Sequence, residues 1–151
     1  MKIRHADRSG DRAAIIDGVR DFVRARFHPN LIPADDGYLE SIGRLLVARD
    51  DIDILLAEND NEIVGGVAFA YGPYPWNPAL AMAEEIAFWC RRAAPPTTVP
   101  ALLKFAEQAA RDRRTDLIIM HSLAFCADGF GRVLCGLGYE PLQSSFLRRL
   151  F

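Results

Sequence analysis

Several features that define other protein classes are missing from this chain. Only three cysteines occur, Cys90, Cys126 and Cys135, and no two of them form a Cys-x-x-Cys pair. An odd count without such a pair argues against a zinc site and against a disulfide framework, and it favours a reducing cytosol. Because Cys90 and Cys135 lie among apolar residues, we interpret them as small buried hydrophobic residues in preference to nucleophiles.

Long hydrophobic runs and an excess of positive charge are also missing. No apolar run approaches the roughly 18 residues that cross a bilayer, and the polar start Met1–His5 lacks the apolar stretch of a signal peptide. The net charge is −2 and the isoelectric point is near 5.9, so no basic field attracts nucleic acid. The sequence predicts a cytoplasmic protein without a membrane or nucleic-acid partner.

The common motifs of metal and nucleotide enzymes are absent as well. There is no His-Glu-x-x-His, no Gly-x-x-x-x-Gly-Lys and no cluster of His and Cys, and no metal is expected. The 151 residues are 50% hydrophobic and 25% charged, which is typical of one soluble globular domain with a sizeable core. No repeat, linker or low-complexity tract divides residues 1–151, so we predict one domain.

Apolar periodicity predicts a mixed α/β fold in the order β-α-α-β-β-β-α-β-α-β-β. The first helix carries the stripe Ile15, Ile16, Val19, Phe22 and Val23 after Ser9 or Asp11, and Asp35 or Asp36 caps the second. The remaining helices are predicted at Pro100–Arg113 and Phe130–Leu137. The seven strands are predicted at Lys2–Ala6, Ile54–Glu58, Glu62–Tyr71, Ala81–Cys90, Leu117–Met120, Tyr139–Leu142 and Phe146–Leu150.

Local signals predict how these elements connect. Asn59–Asn61 is a tight turn that makes an antiparallel hairpin of its flanking strands. Gly65 and Gly66 mark either a bulge or a close backbone approach. Gly72–Pro78, rich in proline and aromatic residues, reads as a loop. The unit Ala81–Met120 is a strand–helix–strand crossover between parallel strands, so the sheet is expected to be mostly antiparallel with one parallel pair.

The strand ending at Cys90 carries the chemistry that singles this chain out. Alternation along the strand puts Glu84 and Glu85 on opposite faces. The loop that follows, Arg91–Val99, leads into a helix N-terminus, which favours an anion. That loop contains no glycine, and three nearby prolines remove three N–H donors. The donors that remain belong to Ala93, Ala94, Thr97, Thr98 and Val99.

Three segments in this order resemble the GNAT family of acyl-CoA-dependent N-acetyltransferases. Ile54–Tyr71 looks like the family's hairpin, with NEIVGGVAF (Asn61–Phe69) in its second strand. Glu85–Cys90 with the following loop and Leu102–Glu107 looks like its cofactor-binding core. Phe130–Pro141, which ends in Gly-Tyr-Glu-Pro, looks like its terminal signature. The closing Gly-Tyr-Glu-Pro and Leu-Arg-Arg-Leu are most similar to small members from phages and prophage-rich bacteria.

The resemblance implies a sheet of about seven strands with about four helices, in which a parallel strand pair splays apart and acetyl-CoA or another acyl-CoA lies in the cleft. Main-chain contacts come from Phe88, Trp89 and Cys90. The lost N–H donors are replaced by the side chains of Arg91, Arg92, Thr97 and Thr98. Alternatively, these residues have no part in binding: one threonine caps the helix, Pro100 lies in its first turn and the arginines are solvated. The predicted cofactor contacts are completed by Val99 and Asp128.

The resemblance also assigns chemical roles. Glu85 is the base that deprotonates the amine through water, unless both glutamates form surface salt bridges. Where many members carry a general-acid tyrosine, this chain has Leu134; the adjacent Cys135 either protonates the CoA thiolate or belongs to the core. Tyr139 is interpreted as a packed ring.

The acceptor site is the most variable part of such a fold. His121 and Ser122 end a strand that faces the cleft, and His121 is either a hydrogen-bonding residue or a base. Five loop side chains form either an aromatic pocket for an amine, a small loop core or a dimer contact: Phe27, His28, Tyr71, Tyr74 and Trp76.

Two functions remain open from the sequence. The first is an N-acetyltransferase that acts on a primary amine of a small molecule or peptide. The second is a catalytically degenerate GNAT-fold protein that serves as a binding or regulatory module, which the glycine-free loop and Leu134 favour. C-terminal edge strands need cover, and a homodimer would supply it.

Overall fold

The computed structural model describes residues 1–26, 35–121 and 129–142, without the side chains of residues 25 and 26. One five-stranded sheet and four helices make up this part of the chain. The strands are β1 (Lys2–His5), β2 (Ile52–Asn59), β3 (Glu62–Tyr74), β4 (Asn77–Cys90) and β5 (Leu117–Ile119). The helices are α1 (Arg12–Arg26), α2 (Asp36–Ala48), α3 (Thr98–Asp112) and α4 (Gly129–Gly136). Across these residues, no helix combines the length and apolar character that a bilayer crossing requires.

The strands lie in the sheet in the order in which they occur in the chain. The pairs β1–β2, β2–β3 and β3–β4 are antiparallel, and β4–β5 is parallel. Side-chain alternation along β2 divides the core into two layers: Leu55 packs with the α3 and α4 side, and Leu56 packs with the α1 and α2 side. The mixed, mostly antiparallel sheet predicted from the sequence is therefore present.

The β2–β3 hairpin confirms two local predictions. Asp60 and Asn61 have φ values of 51° and 65°, as the two central residues of a tight hairpin turn require. Further along, Ala57 pairs with Gly65 but Glu58 pairs with Ile63, so Val64 bulges out of the ladder. The two glycines thus lie at a bulge.

Gly66 also marks a close approach. A Cβ atom at Gly66 would lie 2.3 Å from Cζ2 of Trp89, and one at Gly18 in α1 would lie 2.2 Å from Cε2 of the same indole. Trp89 is only 4% exposed. Its ring therefore occupies space that exists because both α1 and β3 carry glycine at the contact. We call this contact the Trp89 notch.

The predicted loop Gly72–Pro78 is wrong. β3 continues to Tyr74 and β4 starts at Asn77, with Tyr74 paired to Asn77. Pairing of β3 with β2 ends at Ile52 and Ala70, so Pro73 has a ladder on one flank only. Proline is tolerated in a strand at such an edge, because no second partner needs its missing N–H.

The prediction of seven strands is not matched in the described part of the chain. Tyr139–Leu142 was expected to be a strand but is irregular. The Tyr139 N–H donates to the Leu134 carbonyl and the Gly138 N–H to the Cys135 carbonyl, while Gly138 has a φ of 89°. This is the Schellman arrangement that ends a helix, and it holds Tyr139 at the end of α4. The expected strand Phe146–Leu150 lies outside the described residues.

Candidate active site

The candidate site lies where β4 and β5 part. Their parallel ladder contains three pairs, Met82 with Leu117, Ala83 with Ile118 and Glu84 with Ile119. β5 ends at Ile119, whereas β4 runs on to Cys90. From Glu85 onward, β4 has no strand partner on that flank within the described residues. Among the residues that the structure describes, the backbone of Phe88, Trp89 and Cys90 therefore has one edge without a partner strand, where a ligand could bind.

A bulge in β4 sets the direction of the side chains here. Phe69 pairs with Glu85 and Ala68 pairs with Ala87, so Ile86 is the additional residue. Residues paired across an antiparallel ladder share a face. Glu85 therefore lies with Phe69 on the α3 side, and Ala87 lies in the layer against α1 and α2. The bulge could not be seen in the sequence, which shows only alternation.

Both glutamates contact His121. The main-chain N–H of His121 donates to Oε2 of Glu85 at 2.9 Å, and Nε2 of the His121 ring lies 3.2 Å from Oε1 of Glu84. Glu85 is 3% exposed, whereas the side chains of Glu84 and His121 are 40% and 36% exposed. The alternative that both glutamates are surface salt bridges does not hold for Glu85. We call these three residues the carboxylate–histidine cluster.

The predicted cofactor contacts on β4 divide into buried and open side chains. Phe88 is buried and packs on the Phe130 ring of α4, with ring centroids 5.0 Å apart. Trp89 fills the Trp89 notch, so only its main chain is available to a ligand. Cys90 is exposed at the strand end, so its interpretation as a buried hydrophobic residue is wrong. Partial burial of the thiol raises the pKa of Cys90.

The two threonines at the start of α3 differ. Thr98 is completely buried, and its hydroxyl donates to the sulfur of Met1 at 3.1 Å; it faces the protein interior. Thr97 occupies the N-cap position, but its hydroxyl makes no capping hydrogen bond and is exposed. Pro100 lies in the first helical turn, as predicted. Thr97 is therefore the threonine whose side chain can reach a ligand.

Main-chain donors at this helix start are partly used by the protein. Ala94 N–H donates to the Arg91 carbonyl at 3.0 Å, and Thr98 N–H donates to the Pro95 carbonyl at 2.9 Å. The N–H groups of Ala93, Thr97 and Val99 make no hydrogen bond to any described part of the chain.

Arg91 and Arg92 strengthen this donor set. Both are exposed, and neither pairs with a carboxylate among the residues described. Three N–H donors, two guanidinium groups and a helix N-terminus suit a phosphate group, although there are fewer N–H donors than a glycine-rich loop presents.

The predicted general-acid position belongs to the core. Leu134 is 6% exposed and packs with α3 and the sheet. Cys135 is exposed on α4, so its interpretation as a buried core residue is wrong. Its part in proton transfer stays a prediction. Tyr139 packs against the same core, where burial and then the Glu107 carboxylate raise the pKa of Tyr139; the interpretation as a packed ring is confirmed.

The three aromatic residues of the predicted acceptor pocket that the structure describes have different surroundings. Tyr71 lies beneath the Arg113 guanidinium, whose carbon is 4.4 Å from the ring centroid, and Arg113 binds the buried Asp53. Burial, then Asp53, raises the pKa of Tyr71. Trp76 is 86% exposed at the β3–β4 turn, and Tyr74 is half-buried beside it. Four further predicted site residues lie outside the described part: Phe27, His28, Ser122 and Asp128.

Sequence reasoning missed the role of Glu84. Its contact with His121 joins residues 37 positions apart, and only the register between β4 and β5 brings them together. The signal in the sequence was the pair of adjacent glutamates, Glu84 and Glu85, shortly before the end of a strand. Within residues 1–26, 35–121 and 129–142, no three His, Cys, Asp or Glu side chains are grouped so as to hold a metal ion.

Comparison with known proteins gives a likeness of structure without one of sequence. No family model and no curated protein sequence matches the chain. A ribosomal-protein-alanine N-acetyltransferase from Brucella melitensis biovar Abortus 2308 is 16% identical, with a TM-score of 0.74 over 99% of this chain and 100% of that one. A predicted acetyltransferase with acetyl-CoA from Clostridium acetobutylicum is 15% identical, with a TM-score of 0.73 over 99% and 96%.

A third similar structure has a different kind of name. A transcriptional regulator from Bacillus halodurans C-125 is 21% identical, with a TM-score of 0.75 over 99% of both chains. The likeness therefore establishes a fold rather than one activity. With its splayed β4–β5 pair and near-complete overlap with acetyltransferase structures, this chain has the fold of the GNAT acetyltransferases.

Proposed function

We propose that this protein transfers an acyl group from acyl-CoA to a primary amine. The observation that carries the proposal is the parting of β4 and β5 with the carboxylate–histidine cluster at the point of separation. A cleft there leaves main-chain donors of β4 next to side chains that can accept a proton. Amine acylation needs both, because the thioester carbonyl must be polarised and the ammonium must lose a proton before it can attack.

The residues at the two ends of the open β4 edge fit acyl-CoA. Phe88–Cys90 offers main-chain groups for an extended amide-containing arm, as a neighbouring strand would. Ala93, Thr97 and Val99 offer N–H groups for a phosphate at the start of α3, and Arg91 and Arg92 add positive charge. Acyl-CoA supplies the activated thioester, and the protein positions it and handles protons.

Calorimetry with acetyl-CoA tests the first half of the proposal. Arg91→Ala/Arg92→Ala removes two charge-assisted phosphate contacts, and the loss of even one such contact weakens binding by about tenfold or more. Arg44→Ala is the matched control, because Arg44 pairs with Glu40 on α2, on the other side of the sheet. Absence of heat and of thermal stabilisation at millimolar acetyl-CoA would overturn the proposal.

Mass spectrometry tests the second half. Purified protein and acetyl-CoA are incubated with a peptide that has a free N-terminal alanine, with an aminoglycoside and with a polyamine. Together the three probes present peptide, sugar and aliphatic amines. A mass increase of one acetyl group on any of them, dependent on the protein, supports transfer to an amine.

The second candidate function is that of a binding or regulatory module that retains the fold without transfer. The glycine-free loop and the buried Leu134 favour it, and a protein named as a transcriptional regulator shares the fold. Acetyl-CoA binding without transfer to any of the three probes would support this function. Protein-dependent acetylation of any probe excludes it.

A further inference from the structure

The carboxylate–histidine cluster points to a division of labour that the family resemblance does not assign. Resting on the proposed acyltransferase function, we propose that His121 accepts the ammonium proton, that Glu84 positions its ring, and that Glu85 serves to hold its main chain. One residue, His121, is thus bound at both its backbone and its ring by two consecutive glutamates of β4.

The contact with Glu84 fixes which ring nitrogen carries hydrogen. An ionised carboxylate only accepts hydrogen bonds. Since Oε1 of Glu84 lies 3.2 Å from Nε2 of His121, the neutral ring carries its hydrogen on Nε2. The basic lone pair is then on Nδ1. A neighbouring carboxylate that selects the tautomer and stabilises the imidazolium formed by proton transfer is a known device of general-base histidines.

Exposure separates the two possible bases. Glu85 is 3% exposed, so a proton that it accepts has no direct path to bulk water. The His121 side chain is 36% exposed and that of Glu84 is 40% exposed. The imidazole therefore meets both the protein interior and the solvent, and it can pass a proton outward after each turnover.

Glu85 takes the place of a backbone partner. The ladder between β4 and β5 stops at Glu84 and Ile119. Two residues further on, the His121 N–H donates to Oε2 of Glu85 at 2.9 Å, where a parallel neighbour would offer a main-chain carbonyl. The Glu85 side chain reaches beyond its own strand, so the segment that follows β5 stays hydrogen-bonded to β4 while the two backbones separate. Glu84 and Glu85 are the charged groups of β4 that contact His121.

In the proposed step, R–NH3⁺ gives one proton to Nδ1 of His121 and becomes R–NH2. Its lone pair forms the C–N bond to the thioester carbonyl carbon, and the C–S bond breaks with the electron pair on sulfur. The nitrogen loses a second proton, the CoA thiolate gains one, and His121 releases its proton to water.

Kinetics with the best acceptor among the three amine probes separates the roles. His121→Ala should lower kcat by about 10²- to 10⁴-fold, the usual contribution of a general base, and added imidazole should restore part of the rate. Glu85→Gln keeps an oxygen that can accept the main-chain N–H, so it should retain activity within about tenfold, below the usual contribution of a base. Glu84→Gln should lower kcat with KM unchanged. His5→Ala, which removes a ring that packs on Phe105, is the imidazole control.

Nuclear magnetic resonance gives a readout that needs no turnover. Long-range ¹H–¹⁵N correlations of the protein without ligand should show neutral His121 with hydrogen on Nε2, and Glu84→Leu should abolish that preference. Hydrogen on Nδ1, or a His121→Ala variant as active as the parent, overturns the inference while leaving acyl transfer intact. If Glu85→Gln lowers kcat by about 10²-fold or more, Glu85 is the base and the inference is wrong. If the parent protein acylates no probe, the proposed function and this inference fail together.

Discussion

Replacing Gly66 by alanine should destabilise the fold through the Trp89 notch. The new Cβ would stand 2.3 Å from Cζ2 of Trp89, whereas carbon atoms in contact are about 3.5–4.0 Å apart. The indole would have to move by more than about 1 Å to regain that contact distance. It has no room to do so, because Trp89 is 4% exposed and Gly18 of α1 packs on the same ring.

The expected magnitude follows from overpacking. Forcing a methyl group into a filled core typically costs about 1–3 kcal/mol, and the short distance places Gly66→Ala in the upper half of this range. Gly72→Ala is the matched control in the same strand, since a Cβ there meets no atom within 4 Å. That variant should be neutral or more stable by about 0.5–1 kcal/mol, because glycine weakens a strand interior.

Urea unfolding followed by circular dichroism measures both variants, and a second mutation tests the cause. In a Trp89→Phe background the smaller ring leaves space for the methyl group that Gly66→Ala introduces, so the two changes should couple by about 1–3 kcal/mol. If Gly66→Ala and Gly72→Ala unfold with free energies within about 0.5 kcal/mol of each other, or if Trp89→Phe leaves the cost unchanged, the steric explanation is wrong.

Three further outcomes are expected. Arg4 donates to Asp11 at 2.6 and 2.9 Å and lowers the pKa of Asp11. The pair therefore stabilises the fold at pH values above the ordinary carboxyl pKa of about 4, and this stabilisation is lost as the pH falls through the pKa of Asp11 in the folded protein. The stability lost in Arg4→Met, from unfolding at a series of pH values, should therefore be constant near neutral pH and shrink in acid. Tyr71 and Tyr139 have raised pKa values, so in an absorbance titration both should stay protonated above the ordinary phenol pKa of about 10. The variants Tyr71→Phe and Tyr139→Phe should therefore show the same phenolate absorbance as the parent protein until the protein unfolds. Asp35 caps α2 by accepting from the Tyr38 N–H at 2.7 Å; Asp35→Ala should cost about 1 kcal/mol in thermal unfolding, and Asp36→Ala, without that bond, only a few tenths.

Features encoded by neighbouring residues could be predicted from the sequence. The Asp60–Asn61 turn, the helix cap at Asp35 and the glycine pair in β3 depend on backbone preferences of a few adjacent residues, and each is present. The hydrophobic stripes located the four helices of the described residues for the same reason. The choice of Glu85 came from the family resemblance, and its place at the strand separation is known only from the register between β4 and β5.

Errors arose where distant chain segments decide the local structure. Pro73 signals a loop in sequence, but β2 ends before it and leaves the strand possible. Tyr139 resembles a strand residue, yet hydrogen bonds to α4 hold it in a helix cap. The bulge at Ile86 and the contact between Glu84 and His121 depend on registers between strands, which no single segment contains.

The arrangement of the sheet has a consequence for the order of folding. β1 to β4 pair as an antiparallel series in chain order, and both hairpins within β2–β4 close through two-residue turns. Such local pairings form quickly, whereas β5 must find β4 across 35 residues and gains only three ladder pairs. We expect β5 to dock last and to open first in the native state. The cleft thus lies at the least cooperative junction of the sheet, where a ligand that joins both strands would stabilise the protein as it binds.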